Sequence, residues 1–190
     1  IKSLSLNGRL LMNVAAFYYD YENLQLRTAD LQPGGNFTIT INNASTASIA
    51  GAELQSEFAI SERFSVDLSA AYIDSELEDF ISPRDGSVIS GEPLPNTAEW
   101  SGTIGAVFET GLGSRGALRA RLEYNFRSDV IFPLTFDRFE FNDGGSFDLV
   151  NLTARWTSPS ERFYLEGIVR NLTDDIFLPS RNNFLPFNVE

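Results

Sequence analysis

From Ala117 to Arg127 the chain reads ALRARLEYNFR, and every second residue is of one kind. Leu118, Ala120, Leu122, Tyr124 and Phe126 alternate with Arg119, Arg121, Glu123, Asn125 and Arg127. Successive side chains of a strand point to opposite faces, so this stretch predicts a strand with one apolar and one polar face. The same period runs through FSVDLSAAY (64–72), where Phe64, Val66, Leu68, Ala70 and Tyr72 fall together. It sets Ala52, Leu54, Phe58 and Ile60 against Glu53, Gln55 and Glu57. It also groups Trp100, Ile104, Ala106 and Phe108, then Val150, Leu152, Ala154 and Trp156. The last stretch, RFYLEGIVRNL (162–172), is less regular, with Phe163, Leu165 and Val169 assigned to the apolar face.

Strands are expected at roughly 1–5, 9–27, 46–60, 64–77, 97–110, 116–128, 146–157 and 162–177, with ends uncertain by about two to four residues. Most are longer than the five or six residues of a typical soluble strand, and long enough for the nine to eleven that about 30 Å of hydrocarbon requires. The connections alternate strictly. LNGR, SER, GLGSRG and SPSE are short and turn-like. Between them lie three long connections, about 28–45, 78–96 and 129–145. Short turns at one end and long loops at the other are the pattern of an outer-membrane β-barrel. The expected fold is therefore all-β: an antiparallel up-and-down meander of about eight long strands, part of a transmembrane barrel. Phe17, Tyr19 and Tyr21 are assigned to an aromatic girdle at the membrane interface.

Composition narrows the function. No run of about 18 apolar residues is present, so no transmembrane helix is expected. The chain has no Cys and no His, which removes disulfides, thiolate metal sites and the commonest general base. An enzyme is not expected. A formal charge of −12 argues against a nucleic-acid partner. The chain opens on Ile1 with no leader before it, and is expected to be a mature or trimmed piece of something longer. The acidic runs DSELED and FNDGG lack the ligand register of a calcium loop and read as solvated loops.

Two regions are candidates for ligand contact. Arg119, Arg121 and Arg127 would line a wet lumen, with Glu109 as a possible cross-strand partner. IFPLTFDRFEF (131–141) is an aromatic-rich loop, and it contributes Phe132, Phe136, Arg138 and Phe139. Packing of that loop on itself is the reading favoured over ligand contact.

GRLLMNVAAFYYDYENLQL, NNASTASIAGAELQSEFAI, GEPLPNTAEWSG and VRNLTDDIF follow one another along the chain. In that order and at those separations they resemble successive motifs of the TonB-dependent outer-membrane receptors. The resemblance implies a barrel of about 22 strands around an N-terminal plug domain. It implies a bacterial outer-membrane location and import of a scarce small molecule, such as a ferric siderophore, a vitamin or a glycan. Energy would come through TonB, acting on the plug. The implied partners are outer-membrane lipid, TonB through the plug, and the small-molecule ligand; no cofactor is implied. Residues 1–190 would then be the C-terminal segment of the barrel, with the plug and the final strand absent. Three alternatives stand beside this reading: a self-contained eight-stranded barrel of porin or adhesin type, an outer-membrane hydrolase, and a soluble sandwich.

Overall fold

The structure is a computed structural model that describes residues 1–31, 37–43, 46–81, 88–131 and 145–177. Its strands are β1 (Lys2–Ser5), β2 (Leu10–Glu22), β3 (Gln25–Leu31), β4 (Phe37–Asn43), β5 (Thr46–Ala59) and β6 (Phe64–Leu77). They continue as β7 (Phe80–Ile81), β8 (Val88–Ile89), β9 (Trp100–Gly111), β10 (Ala117–Arg127), β11 (Phe147–Thr157) and β12 (Tyr164–Val169). Eight of these form one antiparallel sheet in the order β1-β2-β5-β6-β9-β10-β11-β12. Order in space follows order in the chain, which is the expected meander. The short turns 6–9, 60–63, 112–116 and 158–163 therefore share one end of the sheet, and the long connections share the other.

Two long connections carry hairpins of their own, β3 with β4 and β7 with β8. The expected strand 9–27 is thus cut short. Asn23 turns left-handed at φ 58°, and the chain leaves the sheet before Gln25. The expected strand 162–177 stops at Val169 for a similar reason. Asn171 sits at φ 53°, its amide donates to Asp175 O (2.9 Å), and its own backbone N–H donates to Asn151 Oδ1 (3.0 Å). Thr173 Oγ1 donates to Asp148 O at 2.8 Å, so the Asn-Leu-Thr-Asp run is a hooked turn rather than a strand.

The register shows which residues share a face. Phe64 stands opposite Phe108, Leu68 opposite Ile104, and Tyr72 opposite Trp100. Leu122 stands between Ala106 and Leu152. These apolar side chains stay open: Leu122 is 47% exposed and Ile104 45%. Among the described residues the buried apolar side chains are Ala47, Leu77, Phe80, Val107 and Val130, too few for the core of a two-layer domain. Among the described residues no second layer covers the sheet, which is not the arrangement of a soluble sandwich.

Aromatic rings bound the apolar face at both ends. Tyr72 and Trp100 lie 4.7 Å apart near the long connections, and Phe64 faces Phe108 eight residues further along the same strands. Eight residues span about 26 Å along a strand, or about 20 Å across a membrane at the usual tilt. Trp156 adds to the lower row, its indole N–H donating to Arg115 O at 2.7 Å. Tyr18 adds to the upper row.

Phe17, Tyr19 and Tyr21 do not belong to that girdle. Phe17 stands opposite Gly51, which stands opposite Ile73, and this parity is shared by Gln55, Asp67 and Arg121. The three rings lie on the polar face. Alternation within DYENL cannot reveal this, because Asp20 and Glu22 fall on the apolar side beyond its aromatic row.

We expect Leu122→Arg, near the middle of the apolar band, to destabilise the assembled sheet by about 2–4 kcal/mol in lipid. Ser69→Arg, on the polar face, should cost less than about 1 kcal/mol. Denaturant titration in bilayers compares them; equal losses would mean that the two faces do not meet different solvents.

Candidate functional site

The polar face carries a connected set of charges. Asp67 on β6, Gly105 on β9 and Glu123 on β10 stand in one row across three strands. Arg121 reaches diagonally over that row. Its Nη1 and Nη2 donate to the two Asp67 carboxylate oxygens at 2.6 and 2.9 Å, and its Nε donates to Glu123 Oε2 at 3.1 Å. A planar guanidinium matched to a carboxylate through two parallel bonds is the strongest form of such a pair. Asn125 Nδ2 donates to Glu123 Oε1 at 3.0 Å, and Thr103 Oγ1 donates to Asn125 Oδ1 at 2.8 Å.

Gly105 makes this possible. A Cβ built there would overlap both the Asp67 carboxylate and the Arg121 guanidinium. The glycine is a gap in the wall through which an arginine on β10 meets an aspartate two strands away.

Arg119 pairs with Glu109 directly opposite, as the sequence suggested. Arg155 donates to Glu166 Oε2 at 2.7 Å and lies over the Tyr164 ring at 4.2 Å. With Arg9 and Glu57, the residues Asp67, Glu109, Arg119 and Arg121 line a recess of about 570 Å³ beside the short turns. Arg119 and Arg121 are thus neutralised by carboxylates and stand towards the short-turn end of β10.

Arg127 is placed differently. It ends β10 at the long-connection end, about 26 Å along the strand from Arg119. Its guanidinium lies over the Phe147 ring at 4.9 Å, and Nη2 donates to Gly145 O at 2.9 Å. Its Nε is buried and has no hydrogen-bond partner among the described residues. Phe132, Phe136, Arg138 and Phe139 lie outside the described residues.

Two members of this wall escaped the sequence reading. Asp67 was legible as a polar-face residue, but its link to Arg121 skips a strand, and no pattern of period two encodes that. Gly105 was counted with neither face, because a missing side chain gives no signal until its neighbours are known.

Gly105→Ala should destabilise the protein by about 1–3 kcal/mol, the range of an overpacked site. Arg121→Ala should carry a smaller cost in this partly wet setting. In a double-mutant cycle read by denaturant unfolding, the two costs should fall short of adding, because truncated Arg121 no longer crowds the new methyl. Full additivity would show that Arg121 does not lie over Gly105.

A family model described as TonB dependent receptor-like, beta-barrel matches residues 2–172. Among solved structures, the chain is similar to the crystal structure of the siderophore receptor PiuA from Acinetobacter baumannii, with a TM-score of 0.63 and 18% sequence identity. That match covers 93% of this chain and 24% of PiuA, so the chain spans about a quarter of that receptor's length. At this identity the likeness shows the fold alone. No curated protein matches the sequence. The family match runs through every strand of the meander, and the chain belongs to the TonB-dependent receptors as part of their outer-membrane β-barrel.

Proposed function

We propose that this chain is the C-terminal part of the barrel wall of an active-transport receptor in a bacterial outer membrane. In this reading the rest of the barrel, the final strand and an N-terminal plug come from the remainder of the receptor. The observation that carries the proposal is the open arc. β1 and β12 are the two edges of the sheet and pair with each other nowhere. Unpaired backbone groups cost several kcal/mol each in hydrocarbon, so the arc needs neighbouring strands to span a membrane. A self-contained eight-stranded barrel would close β1 on β12, and the sheet order does not.

The two ends of the polar face then do different work. Near the short turns, the Arg121–Asp67–Glu123 set braces the wall and offers a charged surface to the plug. Near the long connections, the Arg127 cation is proposed to attract an anionic or oxygen-rich ligand, together with Phe132, Phe136, Arg138 and Phe139. A ferric siderophore presents such oxygens. Binding is non-covalent, and TonB supplies the energy for import through the plug.

The test is uptake of iron(III)–siderophore by cells that carry the full-length receptor. Uptake should stop when TonB is absent or the proton gradient is collapsed. Arg127→Ala should weaken binding about tenfold, as expected for a lost charge-assisted hydrogen bond. Deletion of 129–145 should impair uptake while the barrel still assembles. Undiminished uptake without TonB would overturn the transport reading.

A further inference from the structure

Each of the four short turns carries one arginine: Arg9 in 6–9, Arg63 in 60–63, Arg115 in 112–116 and Arg162 in 158–163. Against these four cations the turns hold two carboxylates, Glu62 and Glu161. The turns recur at every second strand, about 10 Å apart along the rim. Arg63 and Arg115 sit in the hairpins β5-β6 and β9-β10, which have strands of this chain on both sides. Both are exposed, and neither has an ion pair among the described residues. Arg9 is held in place, its guanidinium donating to Ala59 O at 2.8 Å and to Ile60 O.

Rings of the lower aromatic row stand beside these cations. Arg9 lies over the Phe58 ring at 5.7 Å, and the Trp156 indole N–H donates to the Arg115 carbonyl. Phe64 and Phe163 directly follow Arg63 and Arg162. Aromatic rings settle at the boundary between hydrocarbon and headgroups, and a long arginine stem beside them carries its charge on to the level of the phosphates. The opposite rim has the other sign. Beyond the upper aromatic row, the apolar-face positions carry Asp20 and Glu22 on β2, Asp74 and Glu76 on β6 and Asp148 on β11. β2, β5, β6 and β11 place no Lys or Arg there. The sheet thus runs from a cationic rim to an anionic one, and an anionic headgroup is attracted at the first and repelled at the second.

Resting on the receptor reading above, we infer that Arg9, Arg63, Arg115 and Arg162 form a cationic collar that gathers anionic phospholipid, of the phosphatidylglycerol type, in the leaflet at the short-turn end. The guanidinium groups donate to phosphate oxygens. The acidic rim keeps the same lipid away from the other leaflet, so the preference is confined to one side of the membrane.

The test uses the full-length receptor with a single cysteine, reconstituted in phosphatidylcholine bilayers that contain a minor share of lipid bearing a nitroxide near its headgroup. A bimane fluorophore on Ser114→Cys reports the short-turn rim. One on Ser48→Cys, which stands between Asp20 and Glu76, reports the other rim. Nitroxide phosphatidylglycerol should quench the first about two- to fivefold more than nitroxide phosphatidylcholine does, and should not quench the second more. Molar salt should remove the preference, and so should combined Arg63→Gln, Arg115→Gln and Arg162→Gln. Combined Arg63→Lys, Arg115→Lys and Arg162→Lys should keep it. Equal quenching by the two lipids at Ser114→Cys, the same preference at both rims, or a preference untouched by the glutamine changes would overturn the collar. Quenching at Ser48→Cys with none at Ser114→Cys would also overturn it, since another part of the receptor would then cover the turns. Energised uptake is read separately, so a one-sided preference with TonB-independent uptake would retain the collar and remove the transport reading.

Discussion

Backbone N–H and C=O groups inside hydrocarbon have no water to bond to, and every one of them must find a partner in the protein. A sheet meets that demand only if each strand has a neighbour on both sides. Within this chain β5, β9 and β10 do so along nearly their whole length, β6 from Phe64 to Tyr72, β2 from Leu10 to Asn13 and β11 from Leu152 to Thr157. Among the described residues β1 and β12 are the two edges of the sheet, and in hydrocarbon their open sides would each need a partner. Most other features follow. The apolar residues need no core, since their solvent is lipid, and the sheet consequently shows Leu122 and Ile104 half exposed with almost nothing buried.

Enclosure of the opposite face changes how charges behave there. Arginine and carboxylate side chains on a strand exposed to bulk water would gain little from pairing. On this wall, Arg121 can reach Asp67 two strands away because Gly105 lets it lie flat, and one cation links β10 to β6 across β9. The pairing thins out towards the long connections. Among the described residues the buried Arg127 Nε has no hydrogen-bond partner, and Tyr19 and Phe17 stand opposite the uncharged Ile49 and Gly51. The ion pairs of Arg119 and Arg121 thus brace the wall towards its short-turn end.

Much of this was legible in the residues. Period-two alternation located the strands and placed Leu118, Leu122 and Trp156 on one face, because lipid and water impose opposite demands on adjacent positions. Strict alternation of short and long connections fixed the meander. The pairing of Arg119 with Glu109 could be read because the partners are direct neighbours across a tight turn. Three things were hidden. Hairpins within the long connections obey turn chemistry at Asn23 and beyond, and amphipathic period does not mark them. The facing of Phe17, Tyr19 and Tyr21 depends on register with β5, which their own segment does not contain. The role of Gly105 depends on side chains brought in by two other strands.

The central claim is that one face of the meander meets acyl chains and the other an enclosed aqueous space. A nitroxide scan along β10, one site at a time from Leu118 to Arg127 in the membrane-embedded receptor, measures this directly through collisions with oxygen and with a water-soluble nickel chelate. The account predicts strict alternation, with oxygen favoured at Leu118, Ala120, Leu122 and Tyr124 and nickel favoured at Arg119, Arg121, Glu123 and Asn125. Accessibility to both reagents that does not alternate along the strand would contradict it.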